Sequence, residues 1–418
     1  MNSNQFSANK NNEENVLFSI DEGAGDVFIS AVILFIPFFI FRIGWGLENQ
    51  FQSLFLHIPQ AVVIAVICLI SIEFHNATKR QTVIFVIFTF LLLIHILQTD
   101  FLVDSLPNYD YEYFIQGVLL WAYLFAVCLY ASTIEVENYQ KLLYFFDLFA
   151  KTAVVVAILS FMFYKITDVS VLIHFYDGFG LARLQGFFSE PSAFAPVSCW
   201  LLMSGVKNSK LTNIGLAITA CVLASSPIVI ISTLLALGTY LMIFHPRITP
   251  LILVATALTA AYVTLVDCSI NYDGSSISRA LCGAKTVFSE DARAVFSNDR
   301  IISSIAIFDH LSATNSLVFG LGINSASVFM PAYYGEMRDN SLPISIFASY
   351  GVLGVLVFVC FAIVCITIAW QRKNIYTIFW ISFFWCSIIN SAQGFISYAL
   401  FFAASIWLLS YPNQKIIL

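Results

Sequence analysis

The sequence predicts an all-α, polytopic membrane protein with about 12 transmembrane helices. Hydrophobic residues make up 59% of the 418 residues and charged residues only 11%, whereas charged residues are about a quarter of an ordinary soluble domain. Apolar blocks of about 17 to 25 residues recur along the chain, and about 20 residues are needed to cross a hydrocarbon core of about 30 Å. The short alternating segments typical of a membrane β-barrel do not occur in the sequence.

The apolar blocks divide the chain into membrane and loop regions. Residues 1–26 are polar and lack the features of a signal peptide, so they are predicted to form a disordered cytoplasmic tail. Residues 27–266 would hold helices 1–9, with an outer loop at 165–189. A large outer loop would follow at 267–341, then helices 10–12 at 342–411 and a second cytoplasmic tail at 412–418. The predicted spans are 27–44, 54–73, 81–98, 113–134, 142–164, 190–206, 211–225, 227–244, 248–266, 342–370, 375–392 and 395–411.

The orientation follows from the short loops, because Lys and Arg near helix ends are retained in the cytoplasm. With both termini inside, the short cytoplasmic connections carry Lys79, Arg80, Lys141, Lys207, Lys210, Arg247, Arg372 and Lys373. The opposite loop at 98–112 has acids but no Lys or Arg. One alternative stays open: 211–225 and 227–244 are either two spans or one broken helix, which would change the parity.

Arginine is concentrated on the predicted outer side. Only Lys165 and Lys285 of the ten lysines lie there, yet six of the nine arginines do: Arg42, Arg183, Arg279, Arg293, Arg300 and Arg338. Retention of positive charge acts on both residue types, so a further reason must favour arginine outside. The guanidinium group binds phosphate or carboxylate through two parallel hydrogen bonds. The alternative is that these arginines only pair with the acids of 267–341.

Other titratable groups give weaker indications. Asp147 and Lys151 stand four residues apart in one predicted span, where they either serve a function or simply neutralise each other. Cys268 and Cys282 share the large loop and would form a disulfide only in an oxidising compartment. No Cys or His spacing indicates a metal site, and no cofactor motif is present in the sequence. The net charge of −6 without a basic stripe argues against a nucleic-acid partner.

The first motif leads into the sixth predicted span. It reads Arg183-Leu-Gln-Gly-Phe-Phe-Ser-Glu190-Pro191-Ser. Pro191 suits a first helical turn because proline has no N–H to leave unpaired. Glu190 would then stand at the helix N-terminus, either as a general base or as a cap.

The second group of motifs lies in and after the large loop. Ser297-Asn-Asp-Arg300 would begin a helix with an apolar stripe of Ile301, Ile302, Ile305 and Phe308. This helix would lie on the membrane surface or pack over the bundle, with Arg300, Ser304 and Asp309 off the stripe. Phe319-Gly-Leu-Gly322, Arg338-Asp339-Asn340-Ser-Leu and Tyr350-Gly351-Val-Leu-Gly354 follow in that order.

The order of these motifs resembles the bacterial O-antigen polymerase and ligase superfamily, and most closely its Wzy-type polymerases. The resemblance rests on residues 183–195 and 297–354. It implies a metal-independent, GT-C-like membrane glycosyltransferase in the inner membrane, with its large loop and active site facing the periplasm. The substrates implied are undecaprenyl-pyrophosphate-linked oligosaccharides, with a chain-length regulator as an expected partner.

The resemblance also implies roles for single residues. Arg183, Arg300 and Arg338 correspond to the outer arginines of the family and would bind pyrophosphate. The ligases carry a histidine near the Asn of the second motif, where this chain has Asp339 before Asn340. The family's arginine, ten residues and glycine pattern is missing, which leaves the individual arginine roles open.

Chemical reasoning completes the predicted site. Pyrophosphate is a good leaving group, so the enzyme must chiefly stabilise its developing charge, and the acceptor hydroxyl needs a base. Glu190 and then Asp339 are the preferred bases, with His310 and His174 as further candidates, and Arg300 completes the catalytic set. The predicted substrate-binding residues are Arg183, Arg279, Arg293, Arg338, Asn340 and His310. An O-antigen ligase and a lipid-linked oligosaccharide flippase are the alternative functions.

Overall fold

The protein is helical, and its helices begin and end close to the apolar blocks. The computed structural model describes residues 24–40, 79–105, 111–169, 173–176, 181–184, 188, 191–224, 226–251, 254, 258, 261, 299–322, 325, 341–389 and 395–410. The helices of these residues are α1 (Ala24–Ile40), α2 (Lys79–Ser105), α3 (Tyr111–Thr133), α4 (Tyr139–Thr167), α5 (Phe194–Lys207), α6 (Leu211–Ala224), α7 (Pro227–Phe244), α8 (Asp299–Ala313), α9 (Leu342–Arg372), α10 (Ile375–Ile389) and α11 (Phe395–Ser410).

Two of the described helical segments are long and apolar enough to cross a membrane. They are Val136–Thr167, which includes α4 and the turn before it, and Leu342–Arg372, which is α9; they contain 32 and 31 residues. Both expose apolar side chains such as Leu159 and Leu356. This agrees with a helical membrane protein. The count of 12 spans stays a prediction, and the predicted span at 54–73 lies outside the described residues.

Helices α5, α6 and α7 form consecutive antiparallel pairs. The chain reverses at Ser226, whose extended backbone precedes Pro227 in the first turn of α7. The Sγ of Cys221 on α6 lies 3.7 Å from the Oγ1 of Thr233 on α7. Twelve residues of one continuous helix would separate these positions by about 18 Å. Residues 211–244 are therefore two helices that fold back on each other, not a single broken one.

An aromatic core holds the bundle together. Phe146 on α4 meets Phe379 on α10 at a ring-centroid distance of 5.0 Å and Trp200 on α5 at 5.6 Å. Tyr139, at the start of α4, contacts Tyr376 on α10 and Trp407 on α11. Edge-to-face contacts such as the two of Phe146 add about 0.5–1.5 kcal/mol each to simple burial.

The predicted cytoplasmic loops gather at one end of the bundle. Tyr139 joins the start of α4 to the start of α10 and the end of α11. The guanidinium of Arg372, the last residue of α9, donates a hydrogen bond to the carbonyl of Leu408 near the end of α11. The ammonium of Lys207 at the end of α5 lies 5.7 Å from the ring of Phe244 at the end of α7. We call this the basic end. It is defined by Lys141, Lys207, Lys210, Arg247, Arg372 and Lys373.

A small β-hairpin follows α4 at the opposite end. Strands β1 (Ile173–Tyr176) and β2 (Leu181–Leu184) pair antiparallel, with His174 opposite Arg183. The hairpin packs against α4 and α6. The sequence predicted only an outer loop at 165–189, because strands of four residues leave too short a pattern to recognise. Helix α4 also runs to Thr167, further than predicted, where Asp168 closes it in the left-handed conformation.

Candidate functional site

Both motif regions described by the structure lie at the end opposite the basic end. The hairpin that carries Arg183 follows the end of α4, and the helix that carries Arg300 packs on the first third of α9. The two arginines thus stand on separate supports at the same end of the bundle. Their side chains, and those of Glu190, Arg279, Arg293, Arg338, Asp339 and Asn340, lie outside the described part, as do Cys268 and Cys282.

The first motif joins the hairpin to α5. Phe188 is fully buried, and its ring meets that of Phe194 at 4.6 Å in an edge-to-face contact. Pro191 begins a short 3-10 turn, Pro191–Ala193, that precedes α5. The predicted first-turn proline is therefore present, although the α-helix itself begins at Phe194. The contact of Phe188 with Phe194 holds this residue against the start of α5.

Helix α8 packs through Ile307 and Leu311, which lie outside the predicted apolar stripe. Ile307 and Leu311 have no exposed surface, whereas Ile305 and Phe308 are 42% and 53% exposed. Of the two predicted placements of the stripe, on the membrane surface or over the bundle, the exposure of Ile305 and Phe308 agrees with the membrane surface. Residues 307 and 311 stand four apart and form a second apolar stripe. Because both sides of the helix are apolar, the sequence pattern does not show which side packs. Helix α8 therefore has a second apolar surface, which includes the exposed Ile305 and Phe308 and lies apart from the buried Ile307 and Leu311.

His310 lies beside the packed stripe of α8. Its side chain is partly buried, and its backbone carbonyl accepts hydrogen bonds from the backbone N–H and the hydroxyl of Thr314. Asp309 next to it is exposed. Two residues before His310, the ring of Phe308 stacks on that of Phe347 of α9, with centroids 6.3 Å apart. His310 is thus held at the junction of α8 with the segment that follows it.

Helix α9 is interrupted at Gly351. This residue has φ 63° and ψ −156°, a conformation that is essentially restricted to glycine. Residues 342–350 and 352–372 form two helical halves, and the segment 317–322 crosses between them. We call this arrangement the glycine crossing. It brings together the Gly320-Leu321-Gly322 and Tyr350-Gly351 motifs, which are far apart in the sequence.

Four backbone hydrogen bonds hold the glycine crossing together. Two carbonyls of the segment 317–322 accept N–H groups from the start of the second half of α9, and two of its N–H groups donate to carbonyls at the end of the first half. The bonds are Val352 N–H to Leu317 O at 2.8 Å, Leu353 N–H to Val318 O at 3.2 Å, Leu321 N–H to Ala348 O at 2.7 Å and Gly322 N–H to Ser349 O at 3.0 Å. Groups that a helix end leaves without an intrahelical partner are thereby paired.

The length of α9 beyond its break is enough to cross a membrane. The second half, 352–372, has 21 residues and is about 31 Å long at 1.5 Å per residue. A hydrocarbon core is about 30 Å thick, so this half is long enough to cross it alone. Gly351 and the first half of α9 would then stand at the outer boundary. Tyr350 beside the break meets the ring of Trp121 of α3 at 5.9 Å.

The sequence did not reveal the glycine crossing or the contact with Trp121. In the sequence, Gly320, Gly322 and Gly351 appear only as parts of two separate motifs. A signal was nevertheless present, because glycine tolerates positive φ and close backbone approach. Nothing in either motif alone shows that the two segments meet.

The intramembrane charges Asp147 and Lys151 belong to a network nearer the basic end. Their carboxylate and ammonium groups are 2.5 Å apart. Asp147 also accepts hydrogen bonds from the indole N–H of Trp200 at 3.0 Å and from the amide of Asn213 at 3.5 Å. The same amide donates to the hydroxyl of Ser204 at 3.3 Å. The network joins α4, α5 and α6 and supports the structural alternative for this pair.

Within the described part of the chain, no cluster of three or more His, Cys, Asp or Glu side chains is arranged to hold a metal ion. No family model, curated protein or solved structure matches this chain.

Proposed function

We propose that the protein is a glycan polymerase of the O-antigen polymerase and ligase superfamily. It would transfer a growing glycan from undecaprenyl pyrophosphate onto the next lipid-linked repeat unit, at the periplasmic face of a bacterial inner membrane. The observation that carries the proposal is the glycine crossing. It joins two motifs of the resemblance at the end opposite the basic loops, directly after the helix that bears Arg300.

The chemistry assigns the predicted residues their roles. The acceptor hydroxyl oxygen attacks the anomeric carbon of the donor sugar, and the bond from that carbon to the pyrophosphate oxygen breaks. The hydroxyl proton passes to a base, for which Glu190 is the first candidate and Asp339 the second. Arg300, with Arg183 and Arg338, would stabilise the charge that develops on the leaving pyrophosphate, the largest task in such a transfer. No cofactor is required by this scheme.

A lipid-linked oligosaccharide flippase is the second candidate, because transporters use interrupted helices. In such proteins the break stands near the bilayer midplane, where the two halves of the helix face the transported group. The break in α9 has 21 helical residues on its far side, which favours a membrane-surface position. The charged pair Asp147 and Lys151 is already bonded to Trp200 and Asn213. Both observations favour the polymerase.

Replacing Arg300 by alanine in cells that depend on this protein tests the proposal. The lipid-linked and surface glycans are extracted and separated by size on a gel. We expect wild-type protein to give a ladder and the variant to give mainly single repeat units, because losing one such charge-stabilising group costs about 10²–10³-fold in rate. Arg247→Ala is the matched control, since Arg247 is an exposed arginine at the basic end.

The deletion strain separates the candidate functions. A polymerase deletion leaves single repeat units that still reach the periplasmic face, whereas a flippase deletion leaves them on the cytoplasmic side. If the deletion abolishes glycan attached to lipid A core but leaves a full ladder on the undecaprenyl pyrophosphate carrier, the protein is a ligase. A full ladder in the deletion strain would contradict the proposal.

A further inference from the structure

The glycine crossing depends on glycine at two positions. A Cβ on Gly320 would come within 3.0 Å of the backbone of Tyr350 and Gly351, and a Cβ on Gly351 within 3.0 Å of the backbone of Leu317 and Val318. Both residues also have positive φ, 74° and 63°, which strains any other residue. The two close approaches are reciprocal. Backbone atoms cannot swing aside as a side chain can, so any larger residue at either position must push the two segments apart.

The crossing is also one of the supports of α8. Only three residues, 314–316, separate the end of α8 from Leu317, the first residue of the crossing. The other described supports of α8 are the buried Ile307 and Leu311 and the stacking of Phe308 on Phe347. All of these lie in the second half of the helix. The first turn, with Arg300, is about 20 Å from the end at Ala313.

Because α8 is supported near its C-terminal end, a small change in its angle moves its first turn by a large distance. A tilt of about 15° at its C-terminal end would move the first turn by about 5 Å over a length of about 20 Å. A misplacement of about 1 Å costs about 10²-fold in a reaction that depends on oriented groups. Small displacements of the crossing would therefore change the position of Arg300, although neither glycine lies near Arg300 in the sequence.

We propose that Gly320 and Gly351 are positioning residues that set the angle of α8, and with it the position of Arg300, relative to the membrane-crossing half of α9. This inference rests on the proposed function for its effect on glycan length. It does not rest on it for the geometry, which a separate measurement reads directly.

The geometric measurement is a cross-link between α8 and α9. Phe308 and Phe347 are both replaced by cysteine, membranes are treated with a short bis-maleimide, and the linked peptides are quantified by mass spectrometry against the wild-type background. We expect Gly320→Ala and Gly351→Ala to lower the cross-link yield severalfold. In the single variants without the added cysteines, the glycan ladder should shorten in parallel by at least tenfold in extended product.

Two other glycines provide matched controls. A Cβ on Gly215 of α6 would meet no atom within 4 Å, so Gly215→Ala should leave both readouts unchanged. A Cβ on Gly205 of α5 would lie 2.8 Å from the Cγ1 of Ile214, which is helix packing near the basic end. Gly205→Ala should lower protein level or thermal stability while leaving the cross-link yield per molecule unchanged. A merely structural role for Gly320 and Gly351 would give the same pattern as Gly205→Ala.

Val352→Pro perturbs the crossing without adding a Cβ to either glycine, so it provides a second test if the alanine variants are not produced. Proline at the first position of a helix is well tolerated. Val352 is partly exposed, and its N–H donates to Leu317 across the crossing. Unlike the N–H at an ordinary helix start, that of Val352 has a partner, so Val352→Pro removes one bond of the crossing and sets the proline ring against the Leu317 carbonyl. We expect a loss of cross-link yield and of extended glycan, as with Gly320→Ala.

The outcomes separate this inference from the proposed function. A wild-type cross-link yield in Gly320→Ala and Val352→Pro would overturn the inference, whatever the glycan shows. A reduced yield with a full-length ladder, in a strain where deletion abolishes the ladder, would overturn it as well while the proposed function stands. If deletion leaves the ladder intact, the proposed function fails, and a reduced cross-link yield still establishes the role of the glycines in holding α8.

Discussion

Asp147 shows how single residues accommodate a charge inside this helix bundle. The spacing of Asp147 and Lys151 predicted that they share a helix face, and the ion pair at 2.5 Å confirms it. The contributions of Trp200 and Asn213 were not predictable, because they come from α5 and α6 and depend on how the helices pack. A partly buried carboxylate with three partners connects three helices, since each missing partner would leave a polar group unpaired.

Replacing Asp147 by alanine should destabilise the protein without shortening the glycan. Lys151, Trp200 and Asn213 would each lose an acceptor, and we expect a loss of about 1–3 kcal/mol in the free energy of unfolding. Thermal melting of detergent-solubilised protein measures it. Leu148→Ala, at a neighbouring exposed position, should change the stability by less than about 0.5 kcal/mol. A variant that melts like wild type but makes no extended glycan would place Asp147 in the functional site instead.

At the scale of helices, apolar block length predicted the described elements well. The predicted spans 211–225 and 227–244 correspond to α6 (Leu211–Ala224) and α7 (Pro227–Phe244). Helix α8 was predicted, but its packed face was not, because Ile305, Ile307, Phe308 and Leu311 make both sides of it apolar. The glycine crossing was beyond prediction for a different reason. It consists of backbone hydrogen bonds between distant segments, which leave no side-chain pattern apart from the glycines.

The reversal between α6 and α7 predicts a specific cross-link. A cysteine at Thr233 would place a thiol next to Cys221, whose Sγ is 3.7 Å from the Thr233 hydroxyl. Mild oxidation of Thr233→Cys membranes should therefore join residues 221 and 233, as detected by mass spectrometry after proteolysis. Leu234→Cys is the control, because Leu234 is exposed on another face of α7. The Sγ of Cys199 lies 3.8 Å from the same hydroxyl, so the variant also carries Cys199→Ala. Absence of the 221–233 link in that background would support one continuous helix.

At the scale of the whole molecule, the distribution of charge predicts the orientation in the membrane. The loops that end α5, α7 and α9 lie with the start of α4 at the basic end, and α4 ends at the other. Because basic loops are retained in the cytoplasm, cysteines placed at Ser209, His245 and Lys373 should resist a membrane-impermeant maleimide in intact cells. Cysteines at Asp168 and Val169 should react, after correction for labelling of wild-type protein. The reverse labelling pattern would mean that the end of the bundle opposite the basic end faces the cytoplasm, which contradicts the proposed periplasmic site.

Extension of the glycan chain by the purified protein can be measured directly in a defined system. The protein is reconstituted into proteoliposomes with an undecaprenyl-pyrophosphate-linked repeat unit as the single glycan substrate, and the products are sized by mass spectrometry. We expect a series of products at whole multiples of the repeat unit, with release of undecaprenyl pyrophosphate and no added metal. Products that never exceed one repeat unit, with the labelled lipid moving from one leaflet to the other, would contradict the proposed function and identify a transporter.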